Sequence, residues 1–150
     1  MSIIAWDGKQ IAADRQVVAG EIVQRGFKIK KLKNGEIVGW TGNHAAGLLL
    51  VQWYENGADL DDWPEFQSSE DWSHIIICRS SGLYYTDSLP CWFKTKEKFT
   101  AFGSGRDVAL GAMAAGASAK KAVEITNALC TSCGLGVDSF PVPKRTKVAN

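Results

Sequence analysis

The most constraining feature of the chain is its opening, MSIIAWDGKQIAADR, where two short apolar runs flank Asp7-Gly8. The segment Ser2 to Asp7, the Asp7-Gly8 turn and the segment Gln10 to Val17 read as a β-hairpin, because the runs are short, turn-bounded and rich in Ile, Val and Trp. Neither run alternates cleanly. "IIA" and "IAA" are apolar at successive positions, so both faces of this hairpin must be buried, as in a sheet held between other layers.

A second hairpin follows: Phe27 to Leu32 alternates apolar and basic residues, Asn34-Gly35 is a favoured two-residue turn, and Glu36 to Thr41 returns. The period then changes. "HAAGLLLVQWYENG" has helix composition over 43–56, with Asn43 as N-cap and Gly57 as stop. "GADLDDWPEFQSSEDW" reads as a polar loop, "HIIICRSSGLYYTD" as two strands around Ser81-Gly82, and "KFTAFGSG" as a further strand. "RDVALGAMAAG" and "SAKKAVEITNALCTS" read as helices, the second capped by Ser118 and carrying Ala122, Ile125 and Leu129 near one face. "GLGVDSF" is consistent with a closing strand. The order of strands, helix, strands and two helices predicts a mixed antiparallel α+β domain with helices on both sheet faces.

At 150 residues the chain suits one domain, taken as 1–140, with a basic tail "PVPKRTKVAN" over 141–150 expected to be mobile or docked on a neighbouring subunit. A net charge of +1 supplies no field for nucleic acid or an anionic membrane, and the tryptophans are too scattered for a base-stacking platform. No stretch approaches the ~18 apolar residues of a membrane span, and no basic segment precedes an apolar one as in a secretory signal. The expectation is a cytoplasmic protein with Cys78, Cys91, Cys130 and Cys133 as thiols.

Taken in order and spacing, "SIIAWDG", "IAADRQ", "FKIKKL", "GWTGN" and "AFGSGRDVALGAM" resemble the proteasome β-subunit and HslV-type peptidases of the N-terminal nucleophile hydrolase superfamily, over residues 2 to about 134. The resemblance implies a four-layer αββα sandwich of two antiparallel sheets flanked by helices. It also implies a homo-oligomeric ring, a peptide or unfolded-protein substrate, an ATP-dependent unfoldase as possible partner, and no cofactor or metal.

Residue by residue, the resemblance places Ser2 as nucleophile once Met1 is removed. A free α-amine, with a reference pKa of about 8, suits the removal of the hydroxyl proton near neutral pH. It places Asp14 and Lys28 as the buried acid and lysine, although Lys28 is also one of four lysines, with Lys30, Lys31 and Lys33, that could share a solvated strand face. Gly42 falls where a backbone N–H serves as oxyanion donor, although glycine at a strand-to-helix junction also serves backbone geometry alone. Ser104 falls where a serine orients the terminal amine, although "GSG" before a helix also reads as a turn and cap.

"CTSCG" departs from the pattern: Cys130 stands in the place of an aspartate and Cys133 in that of a serine. An uncharged thiol cannot hold the hydroxyl and amine as a carboxylate does. Two further readings follow, a catalytically inactive proteasome-like structural or interaction protein, and a thiol redox or zinc protein built on Cys130 and Cys133. The second is disfavoured at a helix C-terminus, where the dipole raises thiol pKa, and zinc would need two more ligands.

Overall fold

In the computed structural model, which describes residues 2–66 and 73–145, the opening hairpin forms from β1 (Ile4–Trp6) and β2 (Gln10–Asp14), paired Ile4 to Ala13 and Trp6 to Ile11. Asp7 makes the turn: its Oδ1 accepts from the Lys9 and Gln10 N–H groups at 2.9 Å each, and Gly8 takes φ +84°. The hairpin is buried on both faces. Ile3, Ala5 and Ala12 point to one side and Ile4, Trp6, Ile11 and Ala13 to the other.

The second expected strand, Gln10 to Val17, is broken at Arg15. The Arg15 N–H leaves the ladder to bond the Gly134 carbonyl at 3.0 Å, and its guanidinium pairs with Asp138 at 2.7 Å. The chain restarts as β3 (Gln16–Ala19), which pairs with β4 (Ile22–Arg25) in an exposed hairpin that periodicity had not indicated.

The next hairpin is as expected, β5 (Ile29–Lys31) with β6 (Ile37–Gly42). α1 (His44–Glu55) follows, with the Asn43 carboxamide accepting from the Ala46 N–H. Leu60–Asp62 forms a 3₁₀ turn inside the expected polar loop, whose residues 67–72 lie outside those described. β7 (Ser73–Arg79) and β8 (Gly82–Thr86) pair as expected, and the sheet then gains a short edge strand, β9 (Trp92–Lys94). β10 (Thr100–Phe102), α2 (Arg106–Ala114), α3 (Ala119–Leu129) and β11 (Val137–Pro141) complete the order.

One sheet runs β10-β1-β2-β11 and the other β5-β6-β7-β8-β9, all neighbours antiparallel. Ile4, Trp6, Ile11 and Ala13 of the first sheet pack on Ile29, Ile37, Ile76, Cys78 and Leu83 of the second. α2 and α3 cover the outer face of the first sheet through Ala109, Met113, Ala119, Ala122 and Val123. α1 covers the outer face of the second through Leu50 and Val51, against Val38, Trp40, Ile75 and Ile77. The layers are therefore αββα.

The buried stripe of α3 is Ala119, Ala122, Val123 and Thr126 rather than Ala122, Ile125 and Leu129. Ile125 is half-buried and Leu129 exposed, because the helix lies close on a sheet face of small residues that admits alanine and valine in preference to leucine. The closing strand also runs further than "GLGVDSF": β11 includes Pro141, and the Val142 N–H bonds the Lys9 carbonyl at 2.9 Å. Residues 146–150 lie outside those described.

Candidate active site

Just upstream of β1, the Ser2 carbonyl accepts from the Gly105 N–H at 3.3 Å and lies 3.4 Å from the Ser104 hydroxyl. Gly103 allows this approach. Its φ is +101°, and a Cβ built there would lie 2.2 Å from the Ser2 carbonyl oxygen, so a side chain is excluded both by conformation and by space. The Ser2 N–H donates to Ser104 Oγ at 3.1 Å. Ser2 itself is buried, and its Oγ has no hydrogen-bond partner among the described residues.

Asp14, the last residue of β2, fixes the neighbouring backbone. Its Oδ1 accepts from the Ile3 N–H at 3.0 Å and from Lys28 Nζ at 2.6 Å; its Oδ2 accepts from the N–H groups of Gln16 at 3.2 Å and Gly134 at 3.1 Å. These partners offset the loss of water around a fully buried carboxylate. Of the four lysines in the 28–33 stretch, Lys28 is the buried one, while Lys30 pairs with Glu55 at 3.1 Å on an exposed surface. Burial pulls the Lys28 ammonium below its usual range, with Asp14 acting in the opposite direction.

Ser2 and Lys28 line a cavity of about 180 Å³ together with Gln16, Val17 and Val18 of β3 and the run Trp40 to His44. Gly42, at φ +111°, sits on the rim where β6 gives way to α1. Trp40 Nε1 donates to His44 Nδ1 at 3.3 Å, and burial, reinforced by the Lys28 charge, holds the imidazole below its ordinary pKa. The rim is therefore a neutral ring rather than a second cation near neutral pH.

The "CTSCG" segment approaches from the other side. Cys130 caps α3, donating its N–H to the Thr126 carbonyl, and its side chain packs against the helix-side core rather than lining the cavity. Cys133 is buried against Gly105 and Ile3, and burial raises its thiol pKa. The hydroxyl in contact with the amine-holding serine belongs to Ser132, whose Oγ lies 3.1 Å from Ser104 Oγ. Thus Ser2, Asp14, Lys28, Ser104 and Cys133 converge, Gly42 shares the cavity, and Cys130 is joined to Cys133 by the backbone bond across the turn.

Sequence reasoning missed Gln16, His44 and Ser132. His44 follows the Asn43 cap and so had to face the same junction as Gly42; Ser132 carried no signal, because only the turn from Cys130 to Cys133, closed by a 3.3 Å backbone bond, decides which hydroxyl faces Ser104.

No family model and no curated protein matches the chain. Solved structures do. BPH from Thiobacillus denitrificans in complex with epoxomicin superimposes with a TM-score of 0.72 at 22% identity, over 97% of this chain and 100% of that one. A second BPH structure from the same organism gives a TM-score of 0.71 at 22% identity, over 96% and 98%. HslV from Trypanosoma brucei gives 0.72 at 19% identity, over 95% and 98%. The αββα architecture, present over nearly the whole chain, is the HslV fold.

Proposed function

We propose that the chain is a peptidase subunit of the N-terminal nucleophile type, hydrolysing peptide bonds with Ser2 after removal of Met1. The observation that carries this reading is the Ser2 hydroxyl: it is buried at a cavity beside the Lys28–Asp14 pair, with its own backbone nitrogen held by Ser104, and no described group bonds it. A buried hydroxyl without a partner costs stability, and such sites commonly reflect function.

In this mechanism the free α-amine takes the Ser2 Oγ proton as Oγ attacks the substrate carbonyl carbon. The positive charge of Lys28, held by Asp14, lowers the proton affinity of the Ser2 hydroxyl, and the Gly42 N–H is assigned as oxyanion donor. The ammonium returns its proton to the leaving amine as the C–N bond breaks; water, deprotonated by the same amine, then attacks the ester carbonyl, and the ammonium passes that proton to Ser2 Oγ as the acyl–Oγ bond breaks and the acid departs. Chemistry of this kind requires no cofactor.

A ring of identical subunits enclosing these sites is part of the proposal. Leu48 and Leu49 of α1 and Val18, Ile22 and Val23 of the β3–β4 hairpin remain exposed on the isolated chain, which supports burial against neighbours. An ATP-dependent unfoldase would then feed unfolded protein into the chamber.

A second reading, a catalytically inactive subunit with a structural role, is favoured by one observation: position 130, where the resemblance expects a carboxylate, holds a cysteine that caps α3 and packs against the helix-side core. Intact mass separates the two. Loss of Met1 is expected for the peptidase; quantitative retention leaves the amine in an amide, without basicity, and favours the inactive subunit. Epoxomicin, bound by the Thiobacillus protein, is expected to raise the melting temperature of the processed chain and not that of Ser2→Ala.

A further inference from the structure

The arrangement expected of a carboxylate at position 130 leaves the amine without its orienting acid, yet the Ser2 nitrogen is not left alone. It donates to Ser104 Oγ at 3.1 Å, Ser104 Oγ lies 3.1 Å from Ser132 Oγ, and Ser132 Oγ lies 3.7 Å from Cys133 Sγ. A hydroxyl carries one proton and two lone pairs, so the first contact limits the second. If Ser104 accepts from the Ser2 nitrogen, its own proton must point elsewhere. Ser132 Oγ is closer than the alternative acceptor, the Ser2 carbonyl at 3.4 Å. The Ser132 proton in turn has Cys133 Sγ as acceptor, so the donors run in one direction from the amine to the thiol.

We propose that Ser132 is a positioning residue for the Ser2 amine: by accepting the Ser104 proton it keeps the Ser104 lone pairs on the amine, the task that the family pattern gives to an acid. This rests on the reading of Ser2 as an N-terminal nucleophile. Its placement follows from the turn closed between Cys130 and Cys133, anchored on either side by the Gln16 carboxamide on the Thr131 carbonyl at 3.0 Å and by the Gly134 N–H on Asp14. Ser132 is thereby held relative to the same aspartate that fixes Ile3 and Lys28. Polar chains of this kind act together, so losing one member is felt at the far end.

The titratable and charged groups around this network are Asp14 at the end of β2, Lys28 before β5, Cys133 after α3 with Cys130 acting on it, Arg106 at the start of α2, which donates to the Gly103 carbonyl, and His44 of α1 across the cavity. All are unchanged in a Ser132 variant, so a change in the amine reports Ser132. The experiment uses the Met1-free chain labelled with ¹⁵N-serine, in which the Ser2 amine nitrogen is followed by NMR as pH is varied, for wild type, Ser132→Ala and Ser132→Thr.

Ser132→Ala is expected to lower the amine titration midpoint, by about half a pH unit or a threefold change in proton affinity. With a fluorogenic peptide, kcat should fall about tenfold with KM little changed, and the acidic limb of the pH profile should move with the midpoint. Ser132→Thr, which keeps the hydroxyl, should restore both. An unmoved midpoint in a folded Ser132→Ala protein overturns the proposal, as does a Thr variant no better than Ala; wild-type turnover alongside either result leaves the peptidase reading standing. A moved midpoint without Ser2-dependent turnover supports the positioning role and removes the catalytic reading. Should Ser132→Ala not fold, Ser132→Cys, with its weak sulfur acceptor, is read by the same criteria.

Discussion

Lys28 Nζ lies 2.6 Å from Asp14 Oδ1, with both side chains buried between the β2 end and the approach to β5. The two partners are not equally replaceable. Asp14 accepts from Lys28 and also from three backbone N–H groups, of Ile3, Gln16 and Gly134. Asp14→Ala therefore removes the shared acceptor of a buried ammonium and three amides and should cost about 3–5 kcal/mol; Lys28→Met, which removes one donor to Asp14 and keeps the stem's packing, should cost less. Urea unfolding of the two variants checks the order, and equal losses would contradict it.

Gly47 predicts a reversal of an ordinary rule. Glycine to alanine within a helix normally stabilises by about 1 kcal/mol. Here a Cβ would lie 2.1 Å from Trp40 Cδ1, in the wall of the candidate site. Gly47→Ala should instead destabilise by about 1–3 kcal/mol and move the Trp40–His44 contact, visible as a change in tryptophan fluorescence. Gly111, whose Cβ position on α2 is open, is the control, and alanine there should stabilise.

The double burial of the opening hairpin was legible because successive apolar residues leave no face for water, and from it followed a sheet held between other layers; the four-layer αββα order came from the family resemblance. The Asn34-Gly35 hairpin and the Asn43 cap were equally plain, since their signals lie within a few residues. What was not legible is set by distant contacts. The break at Arg15 depends on Gly134 and Asp138, more than a hundred residues away, and the exposed β3–β4 hairpin has no apolar alternation to announce it. Within the site, the residues that the family pattern singled out include Asp14, Lys28 and Ser104, which the fold brings beside Ser2, whereas Ser132 carried no local signal, since only the turn directs its hydroxyl to Ser104.

Asp7 ties the first turn to the start of α3, its Oδ2 accepting from the Ala119 N–H at 2.8 Å. Partial burial opposes its ionisation, but the N–H groups of Ala119, Lys9 and Gln10 outweigh it and hold the carboxyl below its usual 3.8. A depressed folded-state pKa means that the contribution is complete above the unfolded value and is lost as pH falls through the folded one. Loss of these capping bonds in Asp7→Ala should cost about 1 kcal/mol at pH 7, and the gap to wild type should narrow as pH falls below 3.8. A pH-independent gap in urea titrations would contradict the linkage.

Gly103 marks where the site's geometry and the fold's stability meet. Gly103→Ala would meet the Ser2 carbonyl and strain a backbone at φ +101°, so it should destabilise by about 2 kcal/mol or more and displace Ser2 from Ser104. Its effect on activity should exceed what the unfolded fraction explains, measured at a temperature where the variant is still folded.

The central claim is that Ser2, freed of Met1, supplies both nucleophile and base. It is tested most directly by the rate of fluorogenic-peptide hydrolysis by the Met1-free chain against an equally processed and folded Ser2→Ala chain. The account predicts turnover in the first and a fall of at least about 10³-fold in the second. Equal rates, or no turnover in the processed wild type, would contradict it.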